Sequence, residues 1–178
     1  MSLSVIENIL TETTIKKISN QVDNLYQNRI KFNFKNNLQI WPTHIVEFSK
    51  EVLIYNLDIG SEEYYLINSD LKKLNINKSI KSILYYYWMP GAYIPWHTDG
   101  IYSNTLTIYL NDSWDYKMGG LFQYKNNNKI STIIPEFNKG VLQQGQVEHS
   151  TTITTKSSPI RKTIQIFFNN NDINYGII

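Results

Sequence analysis

The chain has 178 residues, 42% of them hydrophobic, with a formal charge of +2, a pI near 8.6 and no cysteine. This fits one domain, 1–178, with a sizeable core, and it excludes a disordered chain, a disulfide scaffold, thiolate metal sites and cysteine nucleophiles. The lysines, Lys72, Lys73 and Lys78 among them, are scattered like a solvated surface, so no nucleic-acid partner is expected.

The opening "MSLSVIENIL" lacks a charged n-region ahead of a long apolar run, and no apolar stretch approaches the ~20 residues of a membrane span. The expectation is a cytoplasmic protein with no membrane partner; nothing in the sequence speaks to oligomeric state. Residues 4–28 carry Val5, Ile6, Ile9, Leu10, Ile15, Ile18, Val22 and Leu25 at helical spacing, which predicts one or two amphipathic helices. "THIVEFS" (43–49) and "EVLIYNLDI" (51–59) are short, branched and aromatic, and read as strands. "NSDLKKLNI" (68–76) reads as a brief helix started by Ser69 or Asp70.

From residue 80 the texture changes. "SIKSILYYYWM", "NTLTIYL", "GGLFQY", "KISTIIP", "GVLQQG", "VEHSTTI" and "RKTIQIFF" are strand-like runs separated by Gly, Pro, Asn and Asp turns, with "KNNNK" (125–129) a hairpin turn. They predict a mostly β chain: an antiparallel sandwich or barrel over 80–170, covered on one side by the early helices, with 1–79 as helical and strand support.

"YIPWHTDG" (93–100) holds one of only three histidines. Residues i and i+2 of a strand share a face, so a strand continuing this far would present His97 and Asp99 together. His149 sits in another strand-like run, "QVEHSTTI". Two histidines and one carboxylate, two close and one distant, can bind Fe(II) on one face and leave three positions open; zinc suits the same donors. His44 lies outside this pattern and reads as structural or exposed.

Arg161 follows His149 across the turn "TKSSP" and opens "RKTIQIFF", a spacing read as a hairpin that brings Arg161 back near His149. A buried guanidinium needs a partner, and a dicarboxylate ligand supplies one by a bidentate pair; a surface Asp or Glu is the plainer partner. Thr163 shares the face of Arg161 and can offer its hydroxyl to the same carboxylate.

His-x-Asp at 97–99, "GGLFQY" at 119–124, and His149 followed by Arg161, in that order, resemble the Fe(II)/2-oxoglutarate-dependent oxygenases. "MPGAYIPWHTD" (89–99) and "IYLNDSWDYKMGGLFQY" (108–124) are similar to the prolyl-4-hydroxylase-like branch, over roughly residues 80–168. The resemblance implies a double-stranded β-helix (jelly-roll, cupin-like) core, with His97, Asp99 and His149 as catalytic iron ligands. It implies that Arg161 and Tyr109 hold the distal carboxylate of 2-oxoglutarate, and that Tyr87 or Tyr85 lines the pocket, although Trp88 stands where the branch often has the pocket tyrosine. The implied cofactors are Fe(II), 2-oxoglutarate and O2, with ascorbate in support; the implied reaction is hydroxylation with release of succinate and carbon dioxide. Asp99 favours hydroxylation, because Gly or Ala there would open a place for halide.

The implied substrate is a peptidyl proline or a small, amino-acid-like molecule. Trp88, Trp96, Tyr93 and Tyr102 offer an aromatic wall for it or serve as core and rim, and a covering segment is expected from residues 50–78 or the turn after Trp114. A non-redox β-barrel binding module and a zinc-dependent hydrolase are the competing readings; intact His97, Asp99, His149 and Arg161 argue against the first, and Arg161 has no task in the second. Gly119 and Gly120 answer to backbone needs rather than ligand contact.

Overall fold

The computed structural model describes residues 2–28, 38–40, 52–100, 104–127 and 129–169. The predicted strand at 43–49, His44 and Tyr102 lie outside the described residues.

Two antiparallel sheets face each other. The strands are β1 (Ser2–Ile6), β2 (Leu38–Ile40), β3 (Val52–Leu57), β4 (Ile80–Trp88), β5 (Ile94–His97), β6 (Asn104–Tyr109), β7 (Phe122–Asn126), β8 (Lys129–Ile133), β9 (Gly140–Gln144), β10 (His149–Thr151) and β11 (Arg161–Phe168). The larger sheet runs β1-β9-β6-β11-β4-β3-β2 and the smaller β5-β10-β7-β8. Helices α1 (Glu12–Asn28) and α2 (Glu62–Lys73) cover one face of the larger sheet. This is the mostly β, jelly-roll architecture with N-terminal helices that the sequence predicts.

Period-two alternation divides the larger sheet. Ile83, Tyr85 and Tyr87 of β4, Leu106 and Ile108 of β6, and Ile164, Ile166 and Phe168 of β11 pack with Ile15, Ile18 and Val22 of α1 and Ile67 and Leu71 of α2. Their neighbours Tyr86, Trp88, Thr105, Thr107, Tyr109, Arg161, Thr163 and Gln165 belong to the opposite face, toward the smaller sheet. Both faces are covered, so these strands read as continuous buried runs. The polar residues of the inner face are the exception.

Three local expectations are corrected. Val5 and Ile6 lie in β1, paired with Val141 and Gly140 of β9, and not in a helix. Helix α1 begins only at Glu12, after Asn8 takes a φ of 51° and Thr11 accepts from Thr14 N. Helix α2 starts at Glu62 with Ser61 as its N-cap, its hydroxyl accepting from Tyr64 N. Asp70 therefore lies inside the helix, buried, accepting from the backbone N–H and the hydroxyl of Thr11 and from Lys73. It ties the start of α1 to α2. Because α2 and β3 are built into the sheet and its helical cover, residues 52–73 do not form a cover over the inner face.

Candidate metal and co-substrate site

Strand pairing joins the two histidines. His149 of β10 lies opposite His97 of β5 in the ladder, with ring centroids 4.3 Å apart. β5 ends at His97, so strand alternation does not place Asp99. Its position comes from a hydrogen bond instead: Thr105 on β6 donates its hydroxyl to Asp99 Oδ2 at 3.0 Å. Oδ1 then lies 3.9 Å from His97 Nε2 and 3.8 Å from His149 Nε2.

One donor atom from each of the three residues falls within 4.8 Å of the others, and among the described residues no other such cluster occurs. Each imidazole has Nδ1 against a carbonyl, His97 at 2.8 Å from Pro95 O and His149 at 2.9 Å from Val147 O. A carbonyl only accepts, so each Nδ1 carries a proton and each Nε2 is left toward Asp99. Burial pushes His149 below the ordinary histidine value, against the pull of Asp99, and keeps it neutral. Phe122 stacks on the His149 ring at 5.2 Å and 21°. Two imidazoles with Nδ1 tied and Nε2 presented, beside a carboxylate, are a donor set that fits Fe(II) or zinc.

Arg161 lines the same cavity from the larger sheet. The chain between His149 and Arg161 is not a hairpin, as the sequence suggested, because β10 and β11 belong to different sheets. The segment crosses from one sheet to the other, anchored where Thr154 N donates to Ala92 O and Gly91 N to Thr154 O. Asn111 holds the start of β11 by donating to Ile160 O at 2.8 Å and accepting from Lys162 N at 2.7 Å, on either side of Arg161.

The Arg161 side chain is 2% exposed and lies between the Trp88 and Tyr109 rings, 4.8 and 5.2 Å from their centroids. Its Nε and Nη1, and the Tyr109 hydroxyl, have no hydrogen-bond partner. Burial lowers Arg161 to about 10, so it stays charged at neutral pH; burial raises Tyr109 to about 12 while Arg161 pulls it back. The two attract without an aligned hydrogen bond. A buried charge with open donors, plus an open phenol, fits an incoming carboxylate.

Gly120 makes room for Arg161. A Cβ there would lie 2.9 Å from Arg161 Cδ and 2.9 Å from Thr154 Cγ2, and its φ of +63° already favours glycine. A Cβ on Gly119 would lie 2.0 Å from Ile153 O. Gly119 thus answers to backbone approach and Gly120 to its backbone conformation, as expected, and Gly120 also leaves room for the Arg161 and Thr154 side chains.

Thr163 shares the inner face with Arg161, and its Oγ1 accepts from Trp88 Nε1 at 3.1 Å, so its own proton is free to donate inward. Tyr87 points the other way. Its hydroxyl donates to Val22 O at 2.8 Å and Tyr85 donates to Gln21, both on the helix side. Tyr86 and Trp88 line the cavity in their place, with Thr107 and Gln165 facing each other across the β6–β11 ladder. Strand phase, decided by which face the helices cover, was the missing signal. Burial raises the Tyr86 phenol well above its ordinary value, with Asp99 adding to it. Trp88 is buried, whereas Trp96 is at the surface with Lys125 over its ring, so the two do not form one wall.

No family model matches the chain, and no curated protein matches it. Solved structures do. A prolyl hydroxylase from Trichoplax adhaerens, in complex with a hypoxia inducible factor peptide fragment, superposes with a TM-score of 0.74 at 20% identity, over 95% of this chain and 84% of that one. A Pseudomonas putida prolyl-4-hydroxylase gives 0.75 at 17% identity, over 94% and 92%. The non-heme alpha ketoglutarate dependent epimerase SnoN from nogalamycin biosynthesis gives 0.68 at 9%, over 94% and 77%. The chain has the fold these enzymes share, with a His97/Asp99/His149 cluster and a buried Arg161 lining one cavity between its sheets.

Proposed function

We propose that the protein is an Fe(II)- and 2-oxoglutarate-dependent dioxygenase that hydroxylates a C–H bond in a prolyl peptide or a small amino-acid-like molecule. One observation carries this reading: a fully buried, charged Arg161 with open donors lines the same cavity as two histidines and a carboxylate.

His97 Nε2, His149 Nε2 and one Asp99 oxygen would hold the iron. When bound, iron and 2-oxoglutarate supply the oxidising chemistry, coupling dioxygen to decarboxylation with release of succinate and carbon dioxide. The chain's own groups bind and orient. Arg161 pairs with the distal carboxylate, the Tyr109 hydroxyl donates to it, and Thr163 offers its proton beside them. The buried Trp88, Tyr86 and Phe122 rings wall part of the cavity and shield the charged contact from water, which strengthens it. The Trichoplax relative's peptide complex is the reason to include peptides among the substrates. A zinc hydrolase on the same triad, or a barrel without redox chemistry, leaves Arg161 and Tyr109 without a task.

The test is succinate formation from 2-oxoglutarate by the purified chain in air, with and without Fe(II), alongside His149→Ala. Iron-dependent succinate that disappears in the variant is the expected result. No 2-oxoglutarate consumption by folded, iron-loaded protein, or a zinc-dependent hydrolysis that ignores 2-oxoglutarate, overturns the reading.

A further inference from the structure

We propose that Thr105 and Gln143 form a positioning relay for Asp99, presenting Oδ1 to the metal and withholding Oδ2 from it. The proposal rests on the reading of the cluster as a metal site. Asp99 lies beyond the last residue of β5, between exposed Thr98 and exposed Gly100, so no ladder bond fixes its side chain. An unrestrained carboxylate can offer either oxygen, or both.

The inner faces of β6 and β9 remove that freedom. Thr105 is 1% exposed and Gln143 2%, and the two are direct partners across the β6–β9 ladder. Gln143 Nε2 donates to Thr105 Oγ1 at 3.0 Å, and Thr105 Oγ1 donates to Asp99 Oδ2 at 3.0 Å. A hydroxyl has one proton. Because Gln143 donates into the Thr105 oxygen, that proton goes to Asp99, in a charge-assisted bond stronger than a neutral one. With the amide turned over, Gln143 Oε1 would compete for the proton and Asp99 would meet a lone pair. Water cannot substitute at so buried a pair. β1 closes the far side, with Leu3 opposite Gln143.

The consequence is a one-oxygen ligand. A carboxylate engaging through both oxygens would take a fourth position, whereas Oδ1 alone leaves three for the co-substrate and dioxygen. Thr105 and Gln143 act only through Asp99 and touch no reacting atom.

The test is Co(II) titration of the metal-free full chain, read by its visible d–d absorption, without 2-oxoglutarate or turnover. Thr105→Val should lower Co(II) affinity by about 10- to 100-fold and shift the band, in line with other partners of metal ligands. Thr105→Ser should restore both, and Gln143→Leu should weaken binding by less than Thr105→Val. The double variant should be no worse than Thr105→Val alone, because Gln143 works through Thr105. Thermal melts of the metal-free proteins separate this from loss of fold, which would lower the melting temperature without moving the band. Parent-like affinity and spectrum in Thr105→Val, or in Gln143→Leu if the former does not fold, overturn the relay; so does a double variant that multiplies the single losses. A parent that binds no Co(II) overturns the metal-site reading itself, a distinguishable failure.

Discussion

Replacing Arg161 by Met should separate ligand binding from stability. In the free protein the guanidinium is buried with Nε and Nη1 unpartnered, and two such donors cost about 1–3 kcal/mol each. Against this stand the two ring contacts with Trp88 and Tyr109, each worth up to about 2 kcal/mol when desolvated. At about 2 kcal/mol per donor and per ring contact the two nearly cancel, so Arg161→Met should change the stability of the ligand-free protein far less than it changes binding. Binding does not cancel. Two charge-assisted hydrogen bonds to a carboxylate are worth about 1.5–3 kcal/mol each, and their loss should weaken 2-oxoglutarate roughly 10²- to 10⁴-fold. The assay is anaerobic thermal unfolding of the Mn(II)-loaded proteins with 2-oxoglutarate at 100 times the parent's Kd. The parent should gain about 2.7 kcal/mol and a variant bound 100-fold more weakly about 0.4 kcal/mol. Equal stabilisation of the two proteins would refute Arg161 as the carboxylate anchor.

Other consequences follow from the same contacts. Asn111→Ala should weaken 2-oxoglutarate in calorimetry while leaving Co(II) affinity intact, since Asn111 grips the backbone on both sides of Arg161 and touches no metal ligand. Gly120→Ala should cost about 1–2 kcal/mol from its φ alone and also displace Arg161, lowering 2-oxoglutarate affinity; Gly119→Ala, whose Cβ meets a backbone carbonyl, should cost more in a denaturant titration. Asp70→Ala should cost about 1–2 kcal/mol by removing the bonds from the Thr11 N–H and hydroxyl, read as a lowered thermal midpoint. Burial raises the Asp70 carboxyl, but bonds from Lys73, Thr14 and Thr11 outweigh it and hold the group below its ordinary 3.8. Its contribution is therefore present above pH 3.8 and is lost as pH falls through the lower folded value, so Asp70→Asn should flatten the stability curve below that pH.

The parts of the fold legible in the sequence are those whose signal is local. "RKTIQIFF" and "SILYYYW" are strands because branched and aromatic residues crowd between turns, and they pair with each other from Arg161↔Trp88 to Phe168↔Ile80. β1 was not legible. Its half-exposed edge pattern is faint, its partner β9 is far along the chain, and Val5, Ile6, Ile9 and Leu10 happen to match a helical period. The triad was readable from residue types, yet its cause was not: Asp99 is held by Thr105, and nothing in "YIPWHTDG" says so. Likewise Arg161 reaches the cavity by a crossing between sheets, where spacing suggested a hairpin. The choice between Tyr86 and Tyr87 needed the strand phase. Three successive tyrosines carry no polarity contrast, and only the packing of α1 against Tyr85 and Tyr87 decides it.

The central claim is that one cavity holds iron and 2-oxoglutarate together. The direct measurement is an anaerobic titration of the purified protein with Fe(II) and then 2-oxoglutarate, watching for the visible metal-to-ligand charge-transfer band. The account predicts a band in the parent that needs both additions and is lost in His149→Ala. Well-folded, iron-loaded protein that shows no band on adding 2-oxoglutarate would contradict it.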